Sequence, residues 1–80
     1  MQKRFERLST LKVGQQGSVV SVEGEEGTQR RLLEMGFVRG ERVTVKKLAP
    51  LGDPMELILK GYHLSLRREE SACILVTVEA

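Results

Sequence analysis

The sequence predicts a mostly β protein: a small barrel of five to six short strands with one short α-helix, formed by residues 1–80 as a single domain. Three observations predict it. Apolar residues alternate with polar ones in short runs at regular spacing along the chain. Glycines at positions 14, 17, 24, 27, 36, 40, 52 and 61 cut the chain into short units, as tightly turned strands require. Eighty residues suffice for one compact core, and no linker, repeat or low-complexity stretch marks a second. Closing such a sheet would also remove the exposed edges that a short open sheet carries.

The elements follow in order. Leu8–Leu11 and the segment to Gly17 read as a turn feeding the first strand, Ser18–Val22. Its apolar residues do not alternate cleanly: Val20 and Val22 share a face and Val19 points away. Either a bulge or a strand buried on both sides accounts for this. Thr28–Met35 is the one helix. It ends at Gly36, where a left-handed residue is wanted, and Phe37 can then pack back on Leu32. Leu32, Leu33 and Met35 make a stripe only two turns long, so the helix must lie as a lid on the sheet. Four strands follow. Arg42–Lys46 turns Val43 and Val45 inward, and Met55–Leu59 turns Met55, Leu57 and Leu59 inward. His63–Arg67 does so with Leu64 and Leu66, and Cys73–Val78 with Ile74, Val76 and Val78.

Charge and composition exclude several classes. The formal charge is +2, with seven basic and five acidic residues up to Gly40 and six of each from Glu41 onward. That is a mixed surface, not a nucleic-acid footprint. Phe5, Phe37 and Tyr62 are the only aromatics, which leaves little on which to stack bases. Cys73 is alone, so no intrachain disulfide forms and a reducing compartment fits. No apolar run approaches a membrane span, and Met1–Phe5 has basic residues but no apolar stretch behind it, so no leader is expected. A membrane would be reached only through a partner.

Arg31-Leu-Leu-Glu-Met-Gly-Phe37, then Gly40, then Ala49-Pro-Leu-Gly-Asp-Pro54, is a specific combination. With Gly61-Tyr62 and Leu64–Arg68 behind it, and Leu11, Gly14, Gly17, Val19 and Val22 ahead, the chain resembles the FeoA family from about Leu8 to Val78. These are small SH3-like cytoplasmic proteins of bacterial ferrous-iron uptake. The resemblance implies an SH3-like barrel of five or six strands with one short helix. It implies a cytoplasmic accessory protein, held near the inner membrane by the cytoplasmic part of a FeoB-type transporter. Similar domains end metal-dependent repressors. This chain starts at Met1 without a winged-helix region, so a free-standing protein is expected.

Each candidate site has a plain alternative. Pro50-Leu51-Gly52-Asp53-Pro54 joins two strands, and Pro, Gly and Asp suit a hairpin turn. Leu51 at an exposed tip is nonetheless costly unless something covers it, which points to a contact loop. Leu51, Gly52, Asp53 and Pro54, with Arg67 and Arg68 nearby, are the expected partner-binding residues; Gly36, Phe37 and Gly61 are the expected structural ones. Ile58 and Leu75 face outward, with Cys73 on the face of Leu75. On neighbouring strands they would form a patch for a partner or weak self-association, unless the helix or N-terminal segment covers them. Arg30, Arg31, Arg67 and Arg68 invite an arginine-finger role beside a GTPase. Pairing of Arg31 and Arg67 with Glu34, Glu69 and Glu70 is the plainer expectation.

His63 and Cys73 are the only soft metal ligands, without the spacing or number a transition-metal site needs, so no metal or cofactor is expected. No nucleophile–base pattern and no Walker-type loop occurs, so no catalytic residue is assigned. The expectation is an accessory protein of ferrous-iron uptake that binds rather than catalyses. The alternatives are an SH3-like nucleic-acid-binding domain and a metal-sensing regulatory domain.

Overall fold

The computed structural model describes residues 2–79. The strands are β1 Lys3–Arg7, β2 Gln16–Val22, β3 Arg42–Leu48, β4 Met55–Leu59, β5 Tyr62–Leu66 and β6 Ile74–Glu79. A 3-10 turn, Leu8–Thr10, follows β1. Helix α1, Glu26–Met35, joins β2 to β3, and α2, Arg68–Ser71, joins β5 to β6. The strands form one antiparallel sheet in the order β1-β6-β2-β3-β4-β5. The sheet curls around a single cluster that includes Val19, Val43, Val45, Leu57, Leu59, Leu66, Ile74 and Val76. Its two end strands, β1 and β5, do not pair with each other, so the expected closure is incomplete and a seam remains. Met1, which opens the segment weighed as a leader, lies outside the described residues.

The inward residues of β3, β4 and β6 are those the alternation names. In β5, Leu66 is buried and Leu64 half-buried against the core. In β2 the register slips between Val19 and Ser21, so the strand does carry a bulge. The bulge reverses the expected facing: Val19 is buried in the core, while Val20 is half-buried. A second slip, between Val45 and Lys47, puts Lys46 and Lys47 both outside and returns Leu48 to the core. That is how β3 runs two residues beyond the expected end.

Helix α1 ends as its sequence dictates. Gly36 has φ 112°, which no L-residue adopts without strain. Its N–H donates to the Leu33 carbonyl at 3.0 Å, and the Phe37 N–H donates to the Leu32 carbonyl at 3.1 Å. Phe37 and Leu32 are thereby brought together at full burial. Leu33, expected in the buried stripe, points to solvent instead; two turns offer only one narrow inward face, which Leu32 and Met35 fill. Gly61 (φ 83°) and Lys60 (φ 54°) form the two-residue turn between β4 and β5, a geometry suited to a twisted hairpin. The Tyr62 hydroxyl donates to the Met35 carbonyl, tying β5 to the end of α1.

Candidate functional site

The loop between β3 and β4 is closed on itself. The Ala49 N–H donates to the Pro54 carbonyl at 3.2 Å, and the Gly52 N–H to the Ala49 carbonyl at 2.7 Å. This leaves Leu51 at the tip, 90% exposed. Asp53 faces inward to the neighbouring element: its Oδ1 accepts the Arg68 N–H at 3.0 Å. The Asp53–Pro54 peptide is cis. One carboxylate thus pins the loop to the start of α2, so Leu51 projects from a held loop.

Helix α2 starts on a similar bond. The Arg67 N–H donates to Glu70 Oε1 at 2.9 Å, and the Glu70 N–H donates to the Arg67 carbonyl at 3.0 Å. The other Glu70 oxygen takes the Arg31 guanidinium. Glu70 therefore joins α1 to α2, and Arg31 pairs across the fold rather than with Glu34. The Arg67 side chain does not pair as expected: among the described residues the guanidiniums of Arg67 and Arg68 make no ion pair.

Asp53, Pro54, Ser65, Leu66, Arg67 and Arg68 meet along an open groove of about 870 Å³, which Ser9, Glu69, Glu70 and Ala72 also line. The groove lies at the seam between β5 and the turn after β1. The structure thus brings together Asp53, Pro54, Arg67 and Arg68, with Leu51 and Gly52 on the same loop. Gly36, Phe37 and Gly61 lie elsewhere, in the cap and hairpin turn already described.

The second expected surface does not form. β4 and β6 are separated by β2 and β3, so Ile58 and Leu75 are not on neighbouring strands and share no patch. Both are half-buried. Cys73 is half-buried against the core, with its thiol 3.4 Å from the Glu69 carbonyl. His63 is exposed on β5. Among the described residues no three of His, Cys, Asp and Glu gather as a metal-holding group. Sequence reasoning missed the exposed Phe5 and Val13. It also missed Glu6, whose carboxyl the Thr10 hydroxyl, and behind it Arg4, hold below its ordinary value.

A family model described as the FeoA domain matches residues 6–78. The chain belongs to the FeoA family. Its relatives extend the comparison. A curated protein of Porphyromonas gingivalis, named an Fe(2+) transport protein A/Fe(2+) transporter FeoB fusion protein, is 49% identical over 68 residues. The match covers 85% of this chain and 8% of that protein's length. The solution structure of an FeoA-like protein from Clostridium acetobutylicum superposes with a TM-score of 0.88 at 36% identity, covering all of this chain and 92% of the other. The zinc complex of FeoA from Stenotrophomonas maltophilia, described as an SH3 domain protein, superposes with a TM-score of 0.76 at 32% identity. It covers 86% of each chain. The SH3-like fold expected from the sequence is therefore that of the FeoA family. No helix among the described residues is long and apolar enough to cross a membrane.

Proposed function

We propose that this chain is an accessory protein of ferrous-iron transport that acts by binding the cytoplasmic part of a FeoB-type transporter. In this reading it works on the cytoplasmic side and reaches the membrane through that partner. The observation that carries the reading is Leu51: a fully projecting leucine on a loop fixed by Asp53, beside the groove rimmed by Arg67 and Arg68. A loop held this way loses little freedom on binding, and a buried leucine is worth about 1.5–3 kcal/mol to a partner. The Porphyromonas gingivalis relative supports the choice of partner, since there the two proteins are one chain.

The reading needs no nucleotide, metal or covalent step. The test is recovery of the tagged protein with membranes of its own host solubilised in detergent. The transporter should come down with wild type and be lost with Leu51→Arg, which keeps its melting temperature. Recovery of the transporter with both proteins would leave the loop as a turn only. Absence of the transporter with wild type would remove the reading.

A further inference from the structure

We propose that the seam groove receives an extended acidic segment of the partner as a seventh strand, added antiparallel to the open edge of β5. This rests on the partner-binding reading above and specifies how the contact is made. Backbone geometry carries it. The two-residue turn at Lys60 and Gly61 makes Leu59 and Tyr62 the bonded pair that closes the hairpin. Bonded and non-bonded pairs alternate from there, so Leu57–Leu64 and Met55–Leu66 are bonded, whereas Ile58–His63 and Glu56–Ser65 are not. The N–H and C=O groups of His63 and Ser65 therefore point away from β4. Among the described residues no turn, loop or cap bond reaches them. Four backbone groups are thus presented in a row on an edge strand, and Ser65 itself lines the groove.

The other edge, β1, is differently armed. Arg4 is paired with Glu6 at 3.0 Å and Arg7 with Glu23 at 2.9 Å, and charged side chains of that kind discourage strand addition. On β5 the exposed residues are Tyr62, His63 and Ser65, without lysine or proline.

Charge selects the occupant. Arg67 and Arg68 follow β5 directly, with guanidiniums free of ion pairs among the described residues. Nearby, Asp53 is bonded to the Arg68 N–H, and Glu70 is bonded to the Arg67 N–H and Arg31. Among the described residues, Glu69 and Glu56, which stands opposite Ser65 on β4, are the carboxylates there not so engaged. Every strand pair in this sheet is antiparallel. A strand added in the same sense begins opposite Arg67 and Arg68, so its acidic residues belong at its leading end. A second copy of this chain fits worse. Antiparallel pairing of two β5 strands centred on Leu64 would bring Arg68 of each copy beside Lys60 of the other.

Ser65→Pro tests the edge. Its N–H does not serve β4, so proline removes an outward donor and obstructs an added strand while the fold is kept. Ser65→Thr keeps the donor and is the matched control. In the membrane recovery experiment the transporter should be recovered with wild type and Ser65→Thr and lost with Ser65→Pro. Each variant's amide NMR spectrum checks that it is folded. Recovery with folded Ser65→Pro equal to wild type overturns strand addition and leaves the partner reading standing.

A second arm does not depend on the transporter. The probe is a heptapeptide of two aspartates followed by alternating valine and threonine, added to isotope-labelled protein. The amides of His63 and Ser65 should exchange at least about tenfold more slowly at saturation. Arg67→Glu together with Arg68→Glu should abolish the effect. Unchanged exchange at both amides overturns the proposal, whatever the membrane experiment gives.

Discussion

Replacing Gly36 by alanine isolates the helix cap from everything else in the core. The added methyl would meet Leu59 Cδ2 at 3.3 Å, Lys60 Cε at 3.5 Å and the Tyr62 hydroxyl at 3.5 Å. Lys60 Cε can move aside, but Leu59 is fully buried and the Tyr62 hydroxyl is held by the Met35 carbonyl, so the approach to Leu59 adds some crowding. The backbone decides the outcome. At φ 112° an L-residue sits beyond even the small left-handed basin, whose cost is already about 1–2 kcal/mol. A net loss of about 1–2 kcal/mol corresponds to a fall of about 5–15 °C in melting temperature for a domain of this size. Gly27→Ala supplies the opposite case. Gly27 lies in α1 with nothing within 4 Å of an added methyl and no left-handed φ. Alanine there should raise stability by up to about 0.5–1 kcal/mol. Thermal melts of the two variants beside wild type read both signs. If Gly36→Ala melts within about 2 °C of wild type, the left-handed cap does not hold α1, Phe37 and Leu32 in place.

Other consequences follow from the same geometry. Leu51→Ala should weaken partner binding about 10–30-fold while leaving stability within about 0.5 kcal/mol, read by titration calorimetry and melting in parallel. Phe37→Ala should cost about 3–5 kcal/mol, because Phe37 is wholly buried; urea unfolding at low temperature checks it. Asp53→Ala removes the acceptor of the Arg68 N–H and should cost about 1 kcal/mol, with faster exchange of that amide as the local readout. The Glu6 carboxyl, held below its ordinary value by Thr10 and then Arg4, stabilises the fold above that ordinary value. Its contribution is lost as pH falls through the lower folded value, so Glu6→Gln should flatten that part of the acid unfolding curve.

Much of the barrel was legible because its period is 2 wherever one face is buried. Met55–Leu59 has the expected bounds, and the α1 cap followed from a glycine placed just before an aromatic. β1 was not legible. Lys3–Arg7 holds one apolar residue, Phe5, and that residue faces solvent; the strand exists through backbone pairing to β6. Arg68–Ser71 is too short and too charged to show helical periodicity. Val19 and Val20 were exchanged in facing because a bulge shifts parity by one residue, and no local pattern says on which side of it the core lies. The contact loop was named from its composition, with Arg67 and Arg68 beside it, but the rest of its surroundings was not. That Ser65 belongs to an edge, and that Arg31 reaches Glu70 thirty-nine positions away, depend on strand order.

The register of β1 on β6 has a consequence for how such a domain is carried. Lys3 lies opposite Glu79, so the first and last strands finish side by side, one interstrand spacing of about 5 Å apart. That corner is at the far end of β6 from α2, about 17 Å along the strand. Chain leading in and chain leading out can share one doorway while the Leu51 loop and the seam stay unobstructed. A fold wired like this can be plugged into a larger polypeptide, or lodged within one, without rerouting any of its own connections.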